Sequence, residues 1–229
     1  GRRQRQMCIR DSVVMLYQDA PDAFTPVRFR GFDGASFVAI DDLDADGLLD
    51  FALAHREDGD ITVFYQDTQR IFRRQTLNIG RVAEAVAIAD LNADGLLDLV
   101  ATGREDIGNP YFAIALQTTA RSFRPLQRVE TRHAILQLEA ADLDGDGDLD
   151  LVGSGPGGPV LRLTLALQNP QGGFAAKEVR LNGLEPSWAS TGDIDADGHL
   201  DLALASTQRS GEDLGILLQT EQLAFTETT

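Results

Sequence analysis

Asp42-Leu43-Asp44-Ala45-Asp46-Gly47-Leu48-Leu49-Asp50 sets an aspartate at every second position, then a glycine, then a closing aspartate. The nine-residue pattern returns as DLNADGLLD at 90–98, DLDGDGDLD at 142–150 and DIDADGHLD at 193–201. The first acids, Asp42, Asp90, Asp142 and Asp193, stand 48, 52 and 51 residues apart. A fixed period of this length marks a chain built from repeated structural units. A second marker keeps the same period. Five β-rich runs end in glutamine with a phenylalanine six residues later, and the pairs are Gln18/Phe24, Gln66/Phe72, Gln117/Phe123, Gln168/Phe174 and Gln219/Phe225. They recur every 48, 51, 51 and 51 residues. Two markers locked to one period turn a motif into an architecture.

Each unit reads as four short strands. A run of small apolar residues precedes each acidic loop, for example Val38-Ala39-Ile40 and Val86-Ala87-Ile88-Ala89. In the last unit that run is Trp188-Ala189-Ser190. A second run follows the loop, then a variable turn, the strand ending in Gln, and a fourth strand beginning near the Phe. These runs alternate with period two, are too short for helices, and are bounded by Gly, Asp and Pro. The predicted class is all-β, and a four-stranded unit of about fifty residues has the size of one β-propeller blade. The small residues suit an innermost strand. The five phenylalanines are expected between neighbouring blades, as core.

The acidic loops point to a hard cation. Calcium takes six to eight oxygen ligands, and alternate residues of a tight loop can aim their carboxylates at one point. In the first loop the predicted ligands are Asp42, Asp44, Asp46, the Leu48 carbonyl and Asp50. In the second they are Asp90, Asn92, Asp94, the Leu96 carbonyl and Asp98. The third offers Asp142, Asp144, Asp146, the Asp148 carbonyl and Asp150, and the fourth Asp193, Asp195, Asp197, the His199 carbonyl and Asp201. About four calcium ions are expected, one per loop. Asn92 is neutral, so the second site is expected to be the weakest; the extra acid of Asp148 is expected to face solvent. An EF-hand needs a bidentate Glu at position 12, where these loops have Leu53, Ala101, Gly153 and Leu204.

Composition narrows the function. A net charge of -16 over 229 residues repels phosphates, so no nucleic-acid partner is expected. No run is long and apolar enough for a membrane helix, so no insertion is expected within this chain. His55, His133 and His199 are scattered without metal-ligand spacing, and each reads as a surface residue. Nucleophile-elbow and P-loop motifs are absent from the sequence. The expectation is therefore a non-enzyme. Residues 1–12, GRRQRQMCIRDS, fit nothing downstream. Met7-Cys8-Ile9-Arg10-Asp11-Ser12 is what ATG TGT ATA AGA GAC AGN encodes, which resembles a transposon mosaic-end adapter used for sequencing libraries. This segment is expected to be non-native, Cys8 with it.

The loops DLDADGLLD, DLNADGLLD, DLDGDGDLD and DIDADGHLD resemble those of the VCBS/FG-GAP repeat family, whose propellers include the head of integrin α chains. The likeness covers residues 13–229, with Gly34-Ala35-Ser36 nearest to the family's Gly-Ala-Pro element. The resemblance implies a ring of seven blades with partners docking on the face opposite the metal loops. Five copies of the strand 3–4 segment meet only four of the strand 1–2 segment. The sequence thus predicts an incomplete propeller of about four to four and a half blades, a truncated fragment. Its units are a half blade at 13–30, blades at 31–80, 81–131 and 132–182, and a blade at 183–229 cut in its fourth strand. The implied role is a calcium-stiffened, non-catalytic scaffold for adhesion or ligand binding. Its partner would be an extracellular protein or glycan, and its place the cell surface or exterior, where millimolar calcium fills modules of this strength. The alternatives are the propeller part of a secreted polysaccharide lyase or phosphodiesterase, or a lectin-like carbohydrate binder.

Overall fold

A computed structural model describes residues 12–30, 34–68, 70–105, 108–155, 162–181, 186–206, 214–221 and 223–228. The segment read as non-native lies outside them, save Ser12. All regular structure among the described residues is β. A hairpin of β1 (Ser12–Ala20) and β2 (Ala23–Arg30) comes first. The first four-stranded sheet joins β3 (Ala35–Asp41), β4 (Asp50–His55), β5 (Asp60–Thr68) and β6 (Ile71–Asn78) in chain order. In the second, β7 (Val82–Ala89), β8 (Asp98–Arg104) and β9 (Pro110–Ala115) are followed by the short hairpin β10 (Gln117–Thr119) and β11 (Ser122–Phe123), and β12 (Gln127–Glu130) forms the edge. The third holds β13 (Gln137–Ala141), β14 (Asp150–Ser154), β15 (Arg162–Gln168) and β16 (Phe174–Arg180). The fourth holds β17 (Pro186–Gly192), β18 (Asp201–Ser206), β19 (Leu214–Glu221) and β20 (Ala224–Thr228). Every pairing is antiparallel between neighbours, so each sheet is a simple meander. The acidic loops connect the first and second strands of the four sheets.

The Gln/Phe marker is a hairpin register. Gln18 pairs with Phe24, Gln66 with Phe72, Gln117 with Phe123, Gln168 with Phe174 and Gln219 with Phe225. Six residues of separation is the length needed to turn the chain and set these two opposite each other. In the second sheet this hairpin splits from the edge strand. Pro125 follows closely, and a proline cannot donate to the ladder.

The sheets pack face to face in chain order, with the first strands side by side: β3 along β7, β7 along β13, β13 along β17. Strand alternation feeds two interfaces at once. Ala52 and Ala54 of β4 face the second sheet, while Phe51 and Leu53 face the β1–β2 hairpin. Leu99 and Ala101 of β8 look back to the first sheet and Val100 looks forward to the third. Leu151 and Val152 divide in the same way between the second and fourth. Gly153 marks how close two sheets come, since a Cβ there would lie 2.8 Å from Ile135 and 2.9 Å from the Phe112 ring.

Four of the five marker phenylalanines pack against the preceding element. Phe72 meets the hairpin through Phe29, at 5.3 Å between ring centroids. Phe123, Phe174 and Phe225 join the first–second, second–third and third–fourth interfaces. Phe24 departs from the expectation of core. It is 55% exposed, because no described sheet lies on the outer face of β1 and β2. Trp188 lies on the first strand of its sheet, as read from the sequence. It is half exposed and stacks with Phe37 of β3, ring centroids 6.1 Å apart. His55 is not a surface residue. It is buried in the first sheet, with its Nε2 3.0 Å from the Thr62 hydroxyl.

Candidate metal centres

The four loops fold alike because their own carboxylates wind them. The first-position acid takes two backbone N–H groups across the loop. Asp42 accepts from Asp46 at 3.0 Å and Gly47 at 2.8 Å; Asp90 accepts from Asp94 at 3.1 Å and Gly95 at 2.9 Å. Asp142 and Asp193 do the same, with Gly145 and Gly147 as donors in the third loop and Asp197 and Gly198 in the fourth. The fifth-position acids Asp46, Asp94, Asp146 and Asp197 each accept the N–H of position 7, from Leu48, Leu96, Asp148 and His199. Such winding needs left-handed backbone twice. Position 6 is always glycine, at φ 86–95°. Position 4 adopts φ 54–75° with Ala45, Ala93, Gly145 and Ala196, a conformation that costs an alanine roughly 1 kcal/mol.

The closing acids are structural clamps as well as predicted ligands. Asp50, Asp98, Asp150 and Asp201 are fully buried, and both oxygens of each hold backbone amides. One oxygen accepts from position 2 of the loop: Leu43 at 3.0 Å, Leu91 at 3.0 Å, Leu143 at 3.1 Å and Ile194 at 2.8 Å. The other accepts from the marker glutamine's N–H, at 2.8 Å for Gln66, Gln168 and Gln219 and 2.6 Å for Gln117. Burial pushes Asp50, Asp98 and Asp150 up to about 6, against the pull of those amide donors. Asp144 is also raised, by burial and by the charge of Asp146.

Three acids converge in three of the loops. One carboxylate oxygen from each of Asp42, Asp44 and Asp50 lies within 4.8 Å of the others. The same holds for Asp142, Asp144 and Asp146, and for Asp193, Asp195 and Asp197. Among the described residues the second loop forms no such trio of acids, since Asn92 holds its third position and donates to Asp94 at 3.0 Å. Asp44 Oδ1 is buried and accepts no hydrogen bond. An all-oxygen donor set with a lone pair left over fits a hard divalent cation.

The first three loops are also wedged between two sheets. Leu43, Leu91 and Leu143 are each about 1% exposed and sit in the first–second, second–third and third–fourth interfaces. Above each lies the following sheet's glutamine. Gln117 Nε2 donates to the Leu43 carbonyl at 2.9 Å, Gln168 Nε2 to Leu91 at 2.9 Å, and Gln219 Nε2 to Leu143 at 3.0 Å. In sequence these glutamines show only as a periodic marker, and the bonds they make to the preceding loop are not apparent from it. Their fixed phase relative to the acidic loops was the available signal. Ile194, which no described sheet follows, is 47% exposed.

A scan against family models matches an FG-GAP-like repeat at residues 42–101 and 142–204, more than half of the chain. The chain belongs to the FG-GAP-like repeat family. Each matched stretch runs from one acidic loop through the next and into the second strand of the following sheet, so the repeat unit and the sheet-to-sheet wedge coincide. A search of curated proteins returned no match. The predicted ligand positions of these FG-GAP-like repeats therefore sit in four equivalent loops, three of which bring a trio of acids together.

His199 lies exposed in the fourth loop, and His133 faces Glu178 at 3.4 Å. His55 lies in the first sheet and His133 before the third, so the three histidines sit on separate units. Of the turns between second and third strands, residues 106–107, 156–161 and 207–213 lie outside the described residues.

Proposed function

We propose that the chain is a calcium-stabilised β-propeller module that serves as a non-catalytic scaffold for binding an extracellular protein or glycan. The observation that carries this reading is the coupling of the first three acidic loops to the sheet after each. The loop presents oxygen ligands on one side and drives a leucine into the sheet interface on the other. Bound calcium would neutralise the crowded carboxylates and fix the loop, and the loop fixes the sheet-to-sheet angle. Meander sheets stacked through their first strands support blades of a propeller, and the family supports a ring of such blades. Asp42, Asp44, Asp46 and Asp50 would hold the ion in the first loop, and their counterparts would do so in the others.

A module with calcium affinity of roughly 10⁻⁴–10⁻³ M is loaded outside cells and empty in cytosol, which supports a secreted or surface-displayed protein. No helix among the described residues is long and apolar enough to cross a membrane. The non-catalytic reading draws support from the separation of His55, His133 and His199.

Thermal melts of the full chain test the proposal. At 10 mM calcium, saturation of even one such site contributes about 1.4–2.7 kcal/mol. The melting temperature is expected to rise by several degrees and to return when a chelator is added. Identical melts with calcium and with chelator would contradict it.

A further inference from the structure

We infer that Arg121 is a built-in counter-ion of the first acidic loop, stabilising it without metal and weakening it for calcium relative to the third and fourth loops. The inference rests on the calcium reading above and concerns how one site of that set is tuned.

Arg121 belongs to the second sheet, in the turn between β10 and β11, yet its side chain lies over the loop of the first. Its Nε is 2.5 Å from Asp44 Oδ2, its Nη1 2.9 Å from Asp67 Oδ1 and its Nη2 4.0 Å from Asp46 Oδ2. The guanidinium carbon is 4.8 Å from the Tyr65 ring centroid, which fixes the plane of the group. The backbone is committed too: Arg121 sits at φ 65°, and its N–H donates to Gln117 Oε1 at 2.7 Å. That glutamine's Nε2 donates to the Leu43 carbonyl of the same loop.

The Asp44 side chain is 3% exposed. One oxygen holds Arg121; the other, Oδ1, is buried and without a hydrogen-bond partner. A ligand oxygen of Asp44 lies within 4.8 Å of those of Asp42 and Asp50. The carboxylate is thus divided between a tethered cation and the interior of the loop. A divalent ion there would share Asp44 with a guanidinium, and two cations on one carboxylate repel.

The other repeats show that the arginine is an addition. Four residues after the marker glutamine stand Arg70, Arg121, Gly172 and Leu223, all at positive φ. Arg70 repeats the arrangement one unit earlier, 4.6 Å from the Tyr17 ring and paired with Asp19, but over the hairpin where no acidic loop is described. Gly172 and Leu223 bring no charge to the second and third loops, and Leu223 packs in the third–fourth interface with Leu167. Arg121 is therefore the case in which the inter-sheet staple and an acidic loop meet.

The test uses the full chain and Arg121→Leu, which places at 121 the residue type that the fourth sheet carries at φ 59°. Terbium luminescence excited through Tyr65 reads the first loop, because the matching positions in later sheets are Leu116, Leu167 and Leu218. Subtracting the Tyr65→Phe signal isolates it, and calcium is titrated as competitor. The expected result has two opposite signs. Metal-free Arg121→Leu melts lower than the parent, while its first loop binds calcium roughly tenfold tighter. Arg121→Lys, which keeps the charge, is expected to stay within about twofold of the parent, and Arg121→Gln serves if the leucine perturbs folding. Unchanged or weaker calcium binding at the first loop, with the other sites intact, overturns the inference and leaves the calcium reading standing. Absence of calcium binding in every protein overturns both.

Discussion

Gln117, Gln168 and Gln219 hold the fold together at single-residue scale. Each closes a hairpin opposite its phenylalanine, gives its N–H to a buried aspartate of its own sheet, and reaches 74–77 residues back to a carbonyl in the preceding loop. Replacing Gln168 by alanine leaves the Leu91 carbonyl buried and unpaired, which costs roughly 1–3 kcal/mol. Urea unfolding of Gln168→Ala is expected to show that loss, with a solvent-facing Gln171→Ala as the near-neutral control. The Gln/Phe spacing was legible in sequence as a periodic mark, and the hairpin follows from six residues of separation. The backward bond was not, because a contact across more than seventy residues leaves no local pattern. Phe24 was misread as core for a related reason: burial depends on the neighbour, and the residue alone does not specify one.

The acidic loop is the element that joins chemistry to packing. Its alternating acids and its glycine were legible because both patterns are local. The clamp role of Asp50, Asp98 and Asp150 was hidden, since it depends on amides from another strand. Burial has a consequence for pH. These three carboxyls titrate near 6 when folded and near 3.8 when exposed, so between those values the folded chain binds more protons than the unfolded one. Stability of the metal-free protein is therefore expected to rise as pH falls from 7 towards 5. With calcium bound, protons and metal compete for the same loops, so stability is expected to fall over that range. Melting curves at pH 7, 6 and 5, with chelator and with 10 mM calcium, check the opposite slopes; parallel slopes would count against the assignment.

At the scale of the molecule, each sheet touches the next through a leucine-wedged interface, and alternating strand residues serve two interfaces at once. Stability in such arrays is a sum of unit and nearest-neighbour terms, so a change at one loop is felt first by the sheet that follows it. The four-stranded antiparallel sheets and their meander order were legible from the two periodic markers. The interruption of the second sheet's edge at Pro125 was not read from them. The close approach of Phe37 and Trp188 was also missed, because it depends on how successive sheets tilt. The central claim is that each acidic loop carries one calcium, and counting the ions tests it most directly. Calorimetric titration of the full chain into the millimolar range is predicted to give four calcium ions per chain. The same titration of Asp146→Ala is predicted to give three. A parent that binds none, or a count that the third-loop substitution leaves unchanged, would contradict the account.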